Sequence, residues 1–184
     1  MRKRSKEGDP RWGVIQTRPR PLWSGEQGSI SLAPTAYPVL LGIRQQIPMV
    51  DAALRRLVRL AGGVKVVCQD PALQPALEEF LSQVPVNGIN HGLSSFLDGH
   101  LDSMLTYGNG VGEMVTDTQG RQILGLFNAD PACLRVKEDS DPLEPDFLVQ
   151  QGLEFCPVER KELLLYSAHD PAPGQVVGRS VLEG

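Results

Sequence analysis

The fold of this chain is decided by residues 93–116, which read LSSFLDGHLDSMLTYGNGVGEMVT. After Gly108 the pattern changes, and Val111–Thr116 has the composition of a strand. The stretch therefore predicts an amphipathic helix over 93–107 that passes through a glycine-rich turn directly into a β-strand. The apolar residues of the helix recur at helical spacing on one stripe: Leu93, Phe96, Leu97, Leu101, Met104 and Leu105.

Downstream of this stretch, short strands alternate with turn residues. Asp117-Thr118-Gln119-Gly120 has the chemistry of a hairpin turn and leads into a second strand. An acidic, proline-bearing loop covers 139–145, and 170–184 is predicted to be a Pro/Gly loop that begins a new element. The strands predicted to form one small, mostly antiparallel sheet are Val111–Thr116, Arg121–Asn128, Leu134–Lys137, Leu153–Val158 and Glu162–Ser167.

Upstream, two further amphipathic helices are predicted. The first spans Pro48–Ala61, because proline suits a first helical turn and Gly62-Gly63 ends the pattern. We expect its Leu54 and Leu57 to be core residues. A short strand, Val64–Cys68, is predicted next. The other helix runs over 71–83 with Asp70 as its cap, and its predicted apolar face comprises Leu73, Leu77, Phe80, Leu81 and Val84. Three helices followed by strands indicate the α+β class.

An extended amino-terminal arm, 1–38, is predicted to precede a domain over 39–184, because prolines interrupt any helix in the arm. The arm contains both tryptophans, Trp12 and Trp23, which would dock on another surface or cover the edge of their own domain. Residues 1–20 carry a net charge of +5, which makes a nucleic-acid-binding accessory protein the alternative function. The basic residues are Arg2, Lys3, Arg4, Lys6, Arg11, Arg18 and Arg20.

The composition excludes several other classes. The 184 residues include three cysteines without a CxxC pair, which argues against a disulfide framework or a zinc knuckle and favours reduced thiols in a cytoplasmic compartment. No apolar run approaches the length of a membrane span, and the basic start has no apolar segment of a secretory signal behind it.

No set of residues has the pattern of an active site. Gly108-Asn109-Gly110-Val111-Gly112 follows a helix and precedes a strand, the reverse of a phosphate-binding loop, so we interpret it as a helix stop with tight packing. Ser167, His169 and Asp170 supply the residue types of a hydrolase triad, but no nucleophile elbow accompanies them. We therefore predict no enzyme, no catalytic residue, no cofactor and no metal. The remaining candidates, which have the pattern of ordinary surface residues, are His91, His100, Asp98, Asp102, Glu78 and Glu79.

Four segments together resemble the amino-terminal wing region of portal proteins of tailed bacteriophages and prophages. The helix Pro48–Ala61 with the following Gly-Gly-Val-Lys-Val is the first, and Leu105–Val115 is similar to the family's passage from helix through "YGNA" to strand. The hairpin segment Asp117–Asp130 is the third. The fourth, Leu163–Leu182, resembles the family's strand, loop and "G-x-S-x-L" helix start.

This resemblance implies a structural subunit of a ring, usually dodecameric, at one capsid vertex, through which DNA is packaged and ejected without catalysis by the ring. The implied partners are copies of itself, capsid or scaffold protein, a terminase, a head–tail adaptor and the DNA in the channel, with no membrane. The implied location is the cytoplasm of the bacterial host and then the virion. Family members continue through stem, clip and crown, so the wing-like domain is expected to be incomplete at its carboxy terminus.

Overall fold

The computed structural model describes residues 28–33, 35–138, 140–141 and 143–183, and these form four helices and two antiparallel sheets. The predicted α+β class is confirmed. Short 3-10 helices span Pro131–Cys133 and Lys161–Leu163. The helices are α1 (Tyr37–Gln46), α2 (Pro48–Ala61), α3 (Gln74–Gln83) and α4 (Leu93–Tyr107). The strands are β1 (Ser29–Ser31), β2 (Asn109–Thr116), β3 (Ile123–Ala129), β4 (Leu134–Lys137), β5 (Phe147–Gln151), β6 (Glu154–Pro157) and β7 (Leu164–Ala168).

The strands divide between two sheets, where the sequence pattern predicted one. The inner sheet has the order β3-β2-β7, so β2 is its central strand and pairs antiparallel with both neighbours. The outer sheet has the order β1-β4-β5-β6, and all its pairs are antiparallel as well. The prediction missed β5, although Phe147-Leu148-Val149 is apolar, and it missed β1.

Alternation along β2 explains how the layers stack. Val111 faces the outer sheet, where it joins a core cluster with Leu32, Leu134, Val136 and Phe147. Met114 has the opposite parity and packs with Phe96 of α4 in a second cluster on the other face. Because successive side chains of a strand point to opposite faces, the inner sheet lies between α4 and the outer sheet.

Helix α2 joins this stack through α4 and α1, which are its principal packing partners. Its Leu54 and Val58 are buried, whereas Leu57 is 50% exposed, so the expectation that Leu57 belongs to the core was wrong. The helix carries a second apolar stripe, formed by Met49, Leu57 and Leu60, and this stripe turns away from α4. The bounds of α2 and α4 agree with the predicted ones.

Other upstream predictions require correction. Val64–Cys68 forms no strand, and none of the strands that the structure describes pairs with it. Instead the Gln74 side chain accepts from the Cys68 N–H and donates to the Val66 carbonyl. Helix α3 begins at Gln74, although Asp70 does cap the preceding turn by accepting from the Ala72 N–H. Leu73 and Phe80 of its predicted apolar face are exposed, and Val84 is buried.

The predicted arm includes residues that the structure places in the fold. Leu32 is fully buried, and Pro38, predicted to break any helix, instead occupies the first turn of α1, where a missing N–H leaves no bond unmade. Trp12, Trp23 and the basic residues of 1–20 lie outside the described residues.

Candidate functional site

Ser167, His169 and Asp170, which supply the residue types of a hydrolase triad, do not come together. The Ser167 Oγ lies 2.6 Å from the Nε2 of His100, on α4, and not next to His169. The Nδ1 of His169 instead lies 3.0 Å from the Arg179 carbonyl oxygen. Asp170 occupies an exposed turn with a positive φ of 42°. Of these three residues, Ser167 is the one in a part-buried side-chain contact, and its partner, His100, is not one of the three.

The pair of His100 and Ser167 is a core hydrogen bond with incomplete catalytic geometry. His100 is 8% exposed, and burial lowers the pKa of its imidazole, so the neutral ring is favoured. Its Nδ1 is buried and has no hydrogen-bond partner among the described residues. A catalytic imidazole needs a group at that nitrogen to orient it. A Cβ at Gly110 would lie 2.8 Å from the Nε2, so backbone closely covers the ring.

The glycines after α4 act as the predicted helix stop with tight packing. Gly108 takes the left-handed conformation at the end of α4, with φ of 86°, and its N–H donates to the Met104 carbonyl. A Cβ there would lie 2.6 Å from the Gly178 carbonyl oxygen. At Gly112 a Cβ would lie 2.7 Å from the Phe96 ring. Side chains at these positions would separate β2 from α4 and from residues 169–183, which we term the final segment.

Asn109 is the centre of a buried polar cluster that the sequence analysis did not identify. Its side chain is fully buried, and its Nδ2 donates to the Leu32 carbonyl over 2.8 Å. Its Oδ1 accepts from the Tyr166 hydroxyl at 2.7 Å and from the Gly178 N–H at 2.9 Å. The Tyr166 hydroxyl also lies 2.7 Å from the Val176 carbonyl, and burial raises the pKa of this phenol. One amide thus joins β2 to β7, to the residue that follows β1 and to the final segment.

A second part of this cluster secures the end of α4. Thr106 is fully buried, its hydroxyl donates to the Asp102 carbonyl, and its own carbonyl accepts from the Ser180 hydroxyl at 2.6 Å. The Arg44 guanidinium of α1 donates to the Thr106 hydroxyl and pairs with Asp102 and Asp51, each at 2.6 Å. Hydrogen bonds from Arg44 and then Arg55 lower the pKa of the Asp51 carboxyl. Helices α1, α2 and α4 are thereby held by one ion network.

The remaining predicted candidates are dispersed. His91 is exposed in the loop before α4, and Asp98 is exposed on α4. Glu78 accepts from the Gln74 amide on the surface of α3, beside the exposed Glu79. In the part of the chain that the structure describes, no three His, Cys, Asp or Glu side chains gather as metal ligands would. None of the helices described is long and apolar enough to cross a bilayer.

The second notable feature is a surface of α2, which we term the α2 face. It consists of the apolar Met49, Leu57 and Leu60 with the arginines Arg56 and Arg59 beside them. Met49 is 83% exposed and Leu60 72% exposed. Next to it lies a groove of about 300 Å³ between α2 and α4. Its charged lining consists of arginines and aspartates, among them Arg55 and Asp102. Large exposed apolar side chains in a row mark an interaction surface more often than a ligand site.

Comparison with solved structures shows where this fold recurs. A chain in the virion of a native gene transfer agent particle is similar with a TM-score of 0.63 at 16% identity, over 86% of this chain and 42% of that chain. A chain in the neck of an empty gene transfer agent particle is similar with a TM-score of 0.62 at 16% identity, over 84% of this chain and 42% of that one. This chain thus spans less than half the length of either. No protein-family profile and no curated protein matches the sequence.

Proposed function

We propose that this chain is a structural subunit of a portal-type ring at the vertex of a phage-like particle, and that it performs no catalysis. The observation that carries the proposal is the fold shared over 86% of the chain with a protein of a gene transfer agent virion. The four segments that resemble the portal wing independently support a structural protein of a phage-like particle, and they are the source of the portal assignment. The proposal includes the ring, the DNA channel and contacts with a terminase, with an adaptor, and with capsid or scaffold protein.

The physical organisation of the domain suits such a role. Its polar cluster joins elements in the interior of the domain, where Asn109, Thr106 and Ser180 are buried. Two segments of the resemblance that are distant in sequence, 105–115 and 163–182, meet there through the hydrogen bonds of Asn109 to Tyr166 and Gly178. A rigid junction of this kind holds surface elements in constant relative positions, which a repeated subunit requires.

The test is deletion of the gene in a cell that produces the particles. A portal-type subunit is required for DNA entry, so the deletion should leave shells without DNA, and the plasmid-borne gene should restore filling. Quantitative mass spectrometry of purified particles should find a copy number of about a dozen, with antibody labelling at one vertex. Release of DNA-filled particles by the deletion strain, or a copy number in the hundreds, would refute the proposal.

A further inference from the structure

The α2 face and a second exposed region with apolar and charged side chains belong to opposite sides of the inner sheet. The other, which we term the acidic loop, is the connection 138–146 between β4 and β5 of the outer sheet. Leu143 in this loop is 84% exposed, and Glu144 next to it is exposed as well. Each region therefore presents apolar side chains beside charged ones.

The two regions carry opposite charge. The α2 face contains Arg56 and Arg59 and no acidic residue, a net charge of +2. The acidic loop, 138–146, holds five Asp/Glu and no Lys/Arg, a net charge of −5. Such complementarity steers association and determines which surfaces can meet.

We propose that the α2 face of one copy binds the acidic loop of the next copy. This inference rests on the proposed function, since a ring needs a contact between unlike surfaces of neighbouring subunits. Contact between two α2 faces would bring Arg56 and Arg59 against the same arginines, whereas contact with the loop brings them to Glu144. The favoured contact is therefore head-to-tail, the type that closes rings or extends as filaments.

Charge reversal on each region tests the contact. The α2 variant carries Arg56→Glu and Leu57→Ser, the loop variant carries Leu143→Ser and Glu144→Arg, and the control is Arg121→Glu in the exposed hairpin turn. Sedimentation velocity across the micromolar range should show self-association of the wild type and the control. In both variants it should be weakened about tenfold or more. Circular dichroism melts verify that every variant is folded.

A mixing experiment distinguishes the head-to-tail contact from other arrangements. The α2 variant retains a native loop and the loop variant retains a native α2 face, so their mixture should associate through this native pair more strongly than either variant does alone. The chain with Arg56→Glu and Glu144→Arg together should recover self-association. Any of three results would overturn the inference: the mixture stays monomeric, the wild type is monomeric, or the α2 variant associates like the wild type. Those results leave the DNA content of deletion-strain particles unaffected, so this proposal and the proposed function can fail separately.

Discussion

Replacement of Asn109 by alanine should be among the most damaging single changes in this chain. The substitution leaves the Leu32 carbonyl and the Gly178 N–H without the partners that they have at 2.8 and 2.9 Å, while Tyr166 keeps the Val176 carbonyl. A buried polar group that loses its partner costs about 1–3 kcal/mol, so two of them cost about 2–6 kcal/mol together. For a chain of this size that corresponds to a melting temperature lower by about 4–24 °C.

Urea unfolding of wild type, Asn109→Ala and Asn109→Leu measures this loss. Leucine has the branched shape of asparagine and leaves no cavity but makes none of the hydrogen bonds, so a comparable loss in both variants would assign the effect to bonding rather than to a cavity. The matched control is Asn90→Ala at an exposed position, which should change the free energy of unfolding by no more than about 0.5 kcal/mol. If both Asn109 variants unfolded within about 1 kcal/mol of wild type with an unchanged m-value, the cluster would not be what joins these elements.

Three further predictions concern packing, backbone and pH. Leu54→Ala should cost about 2–5 kcal/mol by leaving a cavity against α4, while half-exposed Leu57 should tolerate alanine; equal melting temperatures would contradict the orientation of α2. Gly108→Ala should lower the urea midpoint strongly, because its φ is 86° and its Cβ would meet backbone, whereas Gly63→Ala enters open space and should not. Burial lowers the pKa of His100 in the folded state below the unfolded value of about 6.5. The stability that the neutral ring contributes is therefore complete above a pH of about 6.5. This stability is lost as the pH falls below that value, at no more than about 1.4 kcal/mol per pH unit. His100→Gln should flatten the dependence of the free energy of unfolding on pH in this range. An unchanged dependence would show that burial of His100 is not its cause.

Local signals in the sequence determined the elements whose ends depend only on their own residues. Proline at the start and glycines at the end predicted α2 with the bounds that the structure confirms, and the glycines after Tyr107 did the same for α4. Strand β4 was predicted correctly as well. Backbone conformation near proline and glycine is governed by their own stereochemistry, so these predictions needed no tertiary information.

Contacts between distant residues decided the rest. Alternation identified β4 as a strand but could not show that β1 and β5 are its partners, and Val64–Cys68 had strand-like residues but found no partner. The two apolar stripes of α2 were equally apolar in sequence, and only packing on α4 determined that Leu54 is inside and Leu57 outside. In the sequence, Asn109 has the pattern of a turn residue. In the structure it is buried and forms hydrogen bonds with three residues that are 57, 69 and 77 positions away in the chain. Burial depends on what the remainder of the chain places nearby, and no local pattern contains that information.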